Sequence, residues 1–255
     1  MRRMRRFLSF FNALGAITLL SWEALAELLR FPLELKLITE QLSRGGVDSW
    51  SITVLTAIFT GMVMAAQFAI GLEPFGASIY TGKLVSLGIV RELGPVLTAL
   101  LVGGRVGAGF TAELGSMAVT EQIDAIRCLG ANPVRKLVMP RVVAMTFMLP
   151  LLTALADVIG CFGGGLITMI EVDVTSKYVW KQMMETIGPE DLLHGLMKSM
   201  FFGYFIAIIA CWIGMNIRGG AEAVGKATTN TVVFTSITIL VSDFILTQFF
   251  LMIYG

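Results

Sequence analysis

The sequence predicts an all-α integral membrane protein with five transmembrane helices. The chain has 255 residues, of which 56% are hydrophobic and 15% are charged, whereas soluble domains carry about 25% charged residues. A helix that crosses a bilayer needs about 20 mostly apolar residues. Five such runs are more than the core of a soluble domain of this length accounts for. They are Trp50–Leu72, Leu84–Thr111, Val142–Ile170, Leu192–Met215 and Thr231–Tyr254.

A basic N-terminus and an amphipathic segment precede these runs. Four of the first six residues are arginines, and no small-residue cleavage site follows promptly, so we expect this segment to be retained. The segment Phe7–Arg30 is apolar, but its polar residues share one sector of a helix, which is typical of a helix in the membrane interface. These residues are Ser9, Asn12, Glu23, Glu27 and Arg30. The sequence therefore predicts a basic, interfacial N-terminal region (residues 1–49) and one transmembrane domain (residues 50–255).

The distribution of Lys and Arg predicts the orientation, because loops on the cytoplasmic side carry the excess of these residues. With five spans and a cytoplasmic N-terminus, thirteen Lys and Arg lie in the inner segments and three lie in the outer segments, namely Lys83, Lys177 and Lys181. If Phe7–Arg30 also crossed the membrane, seven would lie inside and nine outside. Five spans and a C-terminus on the outer side are therefore predicted.

Several functions are excluded by composition and motif. A net charge of +1 and scattered basic residues offer no surface for nucleic acid. Cys128, Cys161 and Cys211 lack the CxxC spacing of a metal or redox site, and we interpret them as small core residues. The segment Gly220–Ala227 resembles a P-loop, but its last residue replaces the Ser or Thr that holds Mg²⁺, and the single histidine, His194, excludes an HExxH motif. We therefore expect no catalytic residue, metal or cofactor in this chain.

Charged side chains within the predicted spans each cost about 2.5 to 3.5 kcal/mol at the bilayer centre, so each needs a partner or a function. The second and fourth spans both start on the outer side, which places Glu92 about 12 Å and Lys198 about 9 Å below that surface. These two residues can therefore meet. Pro95 has no N–H to donate to the Arg91 carbonyl, so we expect a kink at this point. The charged residues are Arg91, Glu92, Arg105, Asp157, Lys198 and Asp243.

Two interpretations of these charges stay open. Arg91, Glu92 and Lys198 could lock helices together, or they could contact a polar lipid head group. Asp157 and Asp243 lie at comparable distances from the inner surface. Because paired carboxylates can share a proton, an intramembrane aspartyl protease is an alternative interpretation. Their flanking residues lack the glycine pattern expected of such an enzyme. We therefore interpret Arg105, Asp157 and Asp243 as structural charges.

Glycines four residues apart predict close contacts between helix backbones. This spacing occurs at Gly103 and Gly107, and again at Gly160 and Gly164. We expect tight helix packing at both pairs.

The largest inner loop predicts a short helix. Thr120 is a candidate N-cap, with Glu121 and Asp124 near the positive end of the helix dipole. Gly130 ends the helix after about three turns, and Asn132 with the proline after it marks the start of the next helix. A short helix at this place could couple the chain to another subunit.

Several motifs occur together in one order, from about Trp50 to the C-terminus. They are Arg91-Glu-Leu-Gly-Pro95, Gly104-Arg-Val-Gly107, Thr111-Ala-Glu-Leu-Gly115, Thr120-Glu-Gln122 and Ala227-Thr-Thr229. With these motifs the chain resembles the MlaE family of ABC-transporter permeases.

The resemblance implies a homodimer in the bacterial inner membrane, with a cytoplasmic N-terminus and a periplasmic C-terminus. It implies two cytoplasmic ABC ATPase subunits that bind ATP and Mg²⁺, often a STAS-domain subunit, and a periplasmic hexameric ring of MCE-domain carriers. The dimer would hold lipid in a cavity open to the periplasm. The implied function is phospholipid transport that maintains outer-membrane lipid asymmetry. Transport of sterols or another hydrophobic solute, and a purely structural anchor for the ring, are the alternatives.

The resemblance also implies roles for individual residues. The polar positions near the lipid path would be Arg91, Glu92 and Lys198, with Leu93 beside them. Asp157 falls outside the motifs and receives no role. The helix that docks onto the ATPase would contain Thr120, Glu121, Gln122 and Asp124.

Overall fold

A computed structural model describes residues 2–28 and 35–254, with side chains for 11–12, 14–28 and 35–253, and this part of the chain is helical and contains no strand. The helices are α1 (Arg2–Leu28), α2 (Leu35–Phe75), α3 (Ser78–Val119), α4 (Gln122–Cys128), α5 (Val134–Val172), α6 (Ser176–Thr186), α7 (Pro189–Met215) and α8 (Ala221–Tyr254).

Five of these helices, α2, α3, α5, α7 and α8, are long and apolar enough to cross a membrane. Each contains one of the five predicted apolar runs. The predicted fold class is therefore confirmed, with a helix before the first span and a short helix, α4, between the second and third spans. Because α2 begins at Leu35, the predicted division between residues 49 and 50 lies within one continuous helix.

The chain forms two compact units, and each is described by itself. The first unit comprises Met1–Arg44, Gly103–Thr146 and Gly203–Thr238. The second comprises Gly45–Val102, Phe147–Phe202 and Ile239–Gly255.

Helix α1 packs within the first unit through polar side chains. The hydroxyls of Ser21 and Tyr204 share a hydrogen bond, and Asn132 Nδ2 donates to Glu27 Oε1 at 3.3 Å. Glu27 is buried, although the predicted polar sector of this segment places it on the same side as exposed Glu23. Arg30, the last residue of that sector, lies outside the described residues. Part of the polar sector of α1 therefore contacts protein.

Glycines allow tight helix packing in both units, as their spacing predicts. In the second unit, a Cβ atom on Gly61 of α2 would overlap the carbonyl oxygen of Gly160 in α5. In the first unit, Cβ atoms on Gly103 and Gly107 would lie 2.7 and 3.1 Å from side-chain carbons of Ile206. These positions have no room for a larger residue unless the neighbouring atoms move.

Candidate functional site

A buried lysine, Lys198 of α7, lies at the centre of a polar cluster in the second unit. Its side chain is 2% exposed, and its Nζ lies 2.7 Å from Glu92 Oε2 and 3.1 Å from Asp243 Oδ1. Nζ also donates to Thr247 Oγ1 at 2.7 Å, and the Thr247 hydroxyl donates to Glu92 Oε1 at 3.3 Å. The predicted meeting of Glu92 and Lys198 is confirmed, and two residues of α8 complete the network.

The backbone of α3 explains a further contact of Lys198. Ile89–Leu93 forms a π-helical turn, in which the N–H of Gly94 bonds to the carbonyl of Ile89. Because Pro95 has no N–H, it cannot donate to the Arg91 carbonyl as an α-helical residue would. Lys198 Nζ lies 3.2 Å from that carbonyl oxygen and donates to it. At the point where Pro95 predicts a kink, α3 forms a π-helical turn, and Lys198 satisfies the carbonyl that the proline leaves open.

The side chain of Arg91 is held by a residue that sequence reasoning missed. Arg91 Nε donates to Asp191 Oδ1, and the other oxygen of Asp191 accepts the N–H of Gly188 at 2.8 Å. Gly188 is the N-cap of α7 and Pro189 its first residue, so Asp191 reaches back as the third residue of a capping box does. The sequence Gly-Pro-Glu-Asp was a signal for this helix start. It gave no indication that Asp191 would also bind Arg91.

The polar cluster lines a cavity of about 130 Å³ in the second unit. The Arg91 and Glu92 side chains are 47% and 41% exposed, so the cavity wall carries both signs of charge. The His194 ring stacks on Phe250 at 4.5 Å between centroids and forms an aromatic part of the same wall. Such a site can bind a ligand that has both a charged group and an apolar body. Its lining residues are Arg91, Glu92, Glu190, His194, Lys198, Thr247, Phe250 and Leu251.

Leu93, predicted to lie beside this group, lines a different cavity. That cavity is smaller, at about 20 Å³, and is bordered by α2, α3 and α5, with Thr53, Gly94 and Gly160 in its wall. The π-helical turn therefore presents Arg91 and Glu92 to one cavity and Leu93 to another.

The two aspartates of the protease alternative have different neighbours. Asp243 forms the ion pair with Lys198, whereas Asp157 lies against Gly94, where a Cβ atom would overlap its Oδ1. Asp157 is 4% exposed, and its Oδ1 has no hydrogen-bond partner among the described residues. An aspartyl protease uses two carboxyl groups that share a proton, and neither of these contacts is between two carboxyl groups. Arg105 belongs to the first unit, where it lies exposed in a π-helical turn, Gly103–Gly107.

The turn before α4 differs from the predicted cap. Thr120 Oγ1 donates to the Ser116 carbonyl at 2.8 Å, so it completes the end of α3 and does not cap α4. Glu121 takes the N-cap position with φ 58°, without a side-chain capping bond, and Gln122 Nε2 donates to Thr120 Oγ1 at 3.0 Å. The prediction of a Thr120 cap is wrong because α3 extends to Val119, and the hydroxyl bonds to a carbonyl in the last turn of that helix.

The end of α4 agrees with the prediction. Gly130 has φ +75°, its N–H bonds to the Arg127 carbonyl at 2.9 Å, and the N–H of Ala131 bonds to Ile126 at 3.1 Å. This is a Schellman motif, which needs the left-handed conformation that glycine adopts without strain. The Asn132 side chain then accepts the N–H of Val134 at 2.9 Å and starts α5 as predicted.

Helix α4 is attached by one side and exposed on the other. Ile123 is its buried residue at 4% exposure, whereas Glu121, Gln122 and Asp124 are exposed. The helix ends on Leu129, whose side chain is 85% exposed. The exposed side of this segment therefore carries these polar side chains and one large apolar side chain, that of Leu129.

The model of the family described as Permease MlaE matches residues 38–249 of the chain. The chain belongs to the MlaE permease family. A probable ABC transporter permease protein of Rickettsia conorii is 39% identical over 246 residues, which cover 96% of this chain and 95% of that protein. The chain is thus a membrane subunit of the ABC-transporter class, whose permeases work with ATPase subunits.

Two other relatives of this chain have more specific names. The intermembrane phospholipid transport system permease protein MlaE of Haemophilus influenzae is 36% identical over 244 residues, which cover 95% of this chain and 94% of that protein. The chloroplastic protein TRIGALACTOSYLDIACYLGLYCEROL 1 of Arabidopsis thaliana is 33% identical over 235 residues, or 92% of this chain and 67% of that protein. The similarity extends over nearly the whole permease in each case.

Proposed function

We propose that this permease moves phospholipids between the bacterial inner membrane and a periplasmic hexamer of MCE-domain carriers, as a homodimer bound to two cytoplasmic ATPase subunits that bind ATP and Mg²⁺. A STAS-domain subunit belongs to the same proposed complex. The observation that carries the proposal is the charged cavity around Lys198 in a chain with five membrane-spanning helices. The name of the Haemophilus relative supports phospholipid as the substrate.

The proposed orientation has the N-terminus in the cytoplasm and the C-terminus in the periplasm, as the excess of Lys and Arg favours. Helix α4 then faces the ATPase subunits, and its contact residues are Thr120, Glu121, Gln122 and Asp124 together with Leu129. Movement of α4 is passed to α3, the helix that ends at Val119 and also carries Arg91 and Glu92.

A photo-crosslinking residue at Leu251 tests the substrate. Leu251 lines the charged cavity and is 52% exposed, whereas Leu55 of α2 is 59% exposed and does not line it. In cells labelled with radioactive phosphate, we expect crosslinked phospholipid at both positions, because both contact lipid. Trapping the complex with ATP and vanadate should change the yield at Leu251 by about tenfold and leave Leu55 unchanged, since a transport cycle alters the occupancy of the cavity.

Mass spectrometry of the molecule attached at Leu251 separates the alternatives. A sterol or another molecule without phosphorus would replace the phospholipid proposal by transport of that solute. An equal yield in trapped and untrapped complexes would contradict transport through this cavity and favour a structural anchor.

Leu129→Asp is expected to weaken binding of the ATPase subunits at least about tenfold. Burial of a leucine side chain in an interface contributes about 1.5 to 3 kcal/mol, and a carboxylate at the same place adds a desolvation cost. The measurement is the amount of ATPase subunit that copurifies with the tagged permease. Leu129→Met, which keeps an apolar side chain of similar volume, should bind normally. Unchanged copurification of the Asp variant would show that the tip of α4 does not dock.

A further inference from the structure

An ion pair between a buried arginine and a partly exposed glutamate joins α3 to α5 in the first unit. Arg141 Nη2 lies 2.7 Å from Glu113 Oε2, and Arg141 Nη1 donates to the Leu137 carbonyl at 2.6 Å. The guanidinium carbon also lies 5.8 Å from the centroid of the Phe110 ring. The Arg141 side chain is 5% exposed, and that of Glu113 is 43% exposed. Three groups on two helices thus determine the position of one arginine.

The position of this pair in the chain links it to α4. Glu113 lies before the end of α3 at Val119, and Arg141 lies after the start of α5 at Val134, so α4 and its two turns connect the helix ends that the pair joins. We call residues 120–133 the coupling segment. The C-terminal end of this segment is held by a second interaction, because Asn132 both caps α5 and donates a hydrogen bond to the buried Glu27 of α1.

Stability alone does not explain the pair. Removing the Arg141 guanidinium from water is costly even when it is paired, and an ion pair with a buried member is often replaceable by apolar side chains of similar volume without loss of stability. Arg141 Nε is buried and has no hydrogen-bond partner among the described residues, which adds to that cost. The bond to the Leu137 carbonyl holds the rigid guanidinium on α5, and the bond to Glu113 then sets a distance between α5 and α3.

We propose that Glu113 and Arg141 are positioning residues that fix the separation of the two ends of the coupling segment. A force applied to α4 by the ATPase then moves the ends of α3 and α5 together, whereas without the pair the segment absorbs the movement by bending. This inference rests on the proposed function, since it assumes that α4 docks onto an ATPase.

The test uses the complete complex in proteoliposomes and measures ATP hydrolysis and phospholipid transfer in the same sample. In Arg141→Met, we expect assembly and basal hydrolysis within about twofold of wild type, and phospholipid moved per ATP at least about tenfold lower, a typical size for coupling between sites. Arg141→Lys, which retains the charge, should recover most of the loss. Lys226→Met is the control, because Lys226 pairs with Glu222 in the same unit at 2.8 Å but both are largely exposed.

Spin labels at the exposed positions Ser116 and Lys136 give a second readout that loss of stability would not mimic. The distance between them within one subunit should stay narrowly distributed with and without ATP in wild type, and should broaden in folded Arg141→Met protein. The reversed pair, Glu113→Arg with Arg141→Glu, should partly restore the narrow distance distribution.

Three outcomes would overturn the inference. One is wild-type transfer per ATP in Arg141→Met, and another is a broad distance distribution in wild type. The third is a loss of transfer that only follows a loss of assembled complex. If instead the wild-type complex hydrolyses ATP but transfers no phospholipid, the proposed function fails, and the distance measurement still decides whether the pair fixes the coupling segment.

Discussion

Lys198→Met is expected to lower phospholipid transfer at least about 100-fold and to destabilise the permease by about 3 to 5 kcal/mol, the cost of removing one partner from a buried ion pair. The methionine side chain fills a similar space but leaves Glu92 and Asp243 without their shared cation. It also leaves the Arg91 carbonyl without the donor that Pro95 cannot replace. Thermal unfolding in detergent and transfer by reconstituted complexes measure the two effects.

A triple variant, Lys198→Met with Glu92→Gln and Asp243→Asn, distinguishes a structural role of the charges from a role in transport. All three groups become neutral together, so no uncompensated charge remains and most of the lost stability should return. If the cavity contacts a lipid head group, transfer should stay low although the protein is stable again. Recovery of both stability and phospholipid transfer would show that Lys198 and its partners only hold the helices together.

Depth in the membrane was predictable from the sequence, whereas the direction in which each side chain points was not. Counting residues along two helices placed Glu92 and Lys198 at similar depths, and they meet at 2.7 Å. The same count cannot tell which side of a helix faces which neighbour, because that depends on packing against helices far away in sequence. Asp191 and Thr247 were missed for this reason, although Asp191 contacts Arg91 and Thr247 contacts Lys198.

Short local signals were reliable where one residue dominates the conformation. Gly130 and Asn132 do what their types predict, since a left-handed turn and an N-cap each depend on a single side chain or its absence. Thr120 was assigned to the wrong helix because a threonine between two helices can satisfy either one. The buried Glu27 shows the corresponding limit of an amphipathic pattern, which gives the polar side of α1 but not the groups that face it.

Gly61→Ala is expected to destabilise the permease by about 2 to 3 kcal/mol, near the upper end of the usual cost of overpacking. The added methyl group would overlap a backbone oxygen, that of Gly160, so no flexible side chain can move aside to accept it. Helices α2 and α5 must separate instead. Around this contact, Gly163 approaches the Ile58 carbonyl and Gly164 approaches the Gly61 carbonyl, so separating α2 from α5 would weaken several contacts at once. The measurement is the midpoint of thermal unfolding in detergent.

Gly71→Ala is the matched control, because Gly71 lies in the same helix and a Cβ atom there would have nothing within 4 Å. Alanine favours a helix over glycine by about 1 kcal/mol, so the control should unfold at an equal or higher temperature. Equal midpoints for both variants would show that the contact of α2 with α5 is loose in the membrane protein. If Gly61→Ala lowers the midpoint while its folded fraction still transfers phospholipid normally, the contact stabilises the frame around the cavity without taking part in the transport movement.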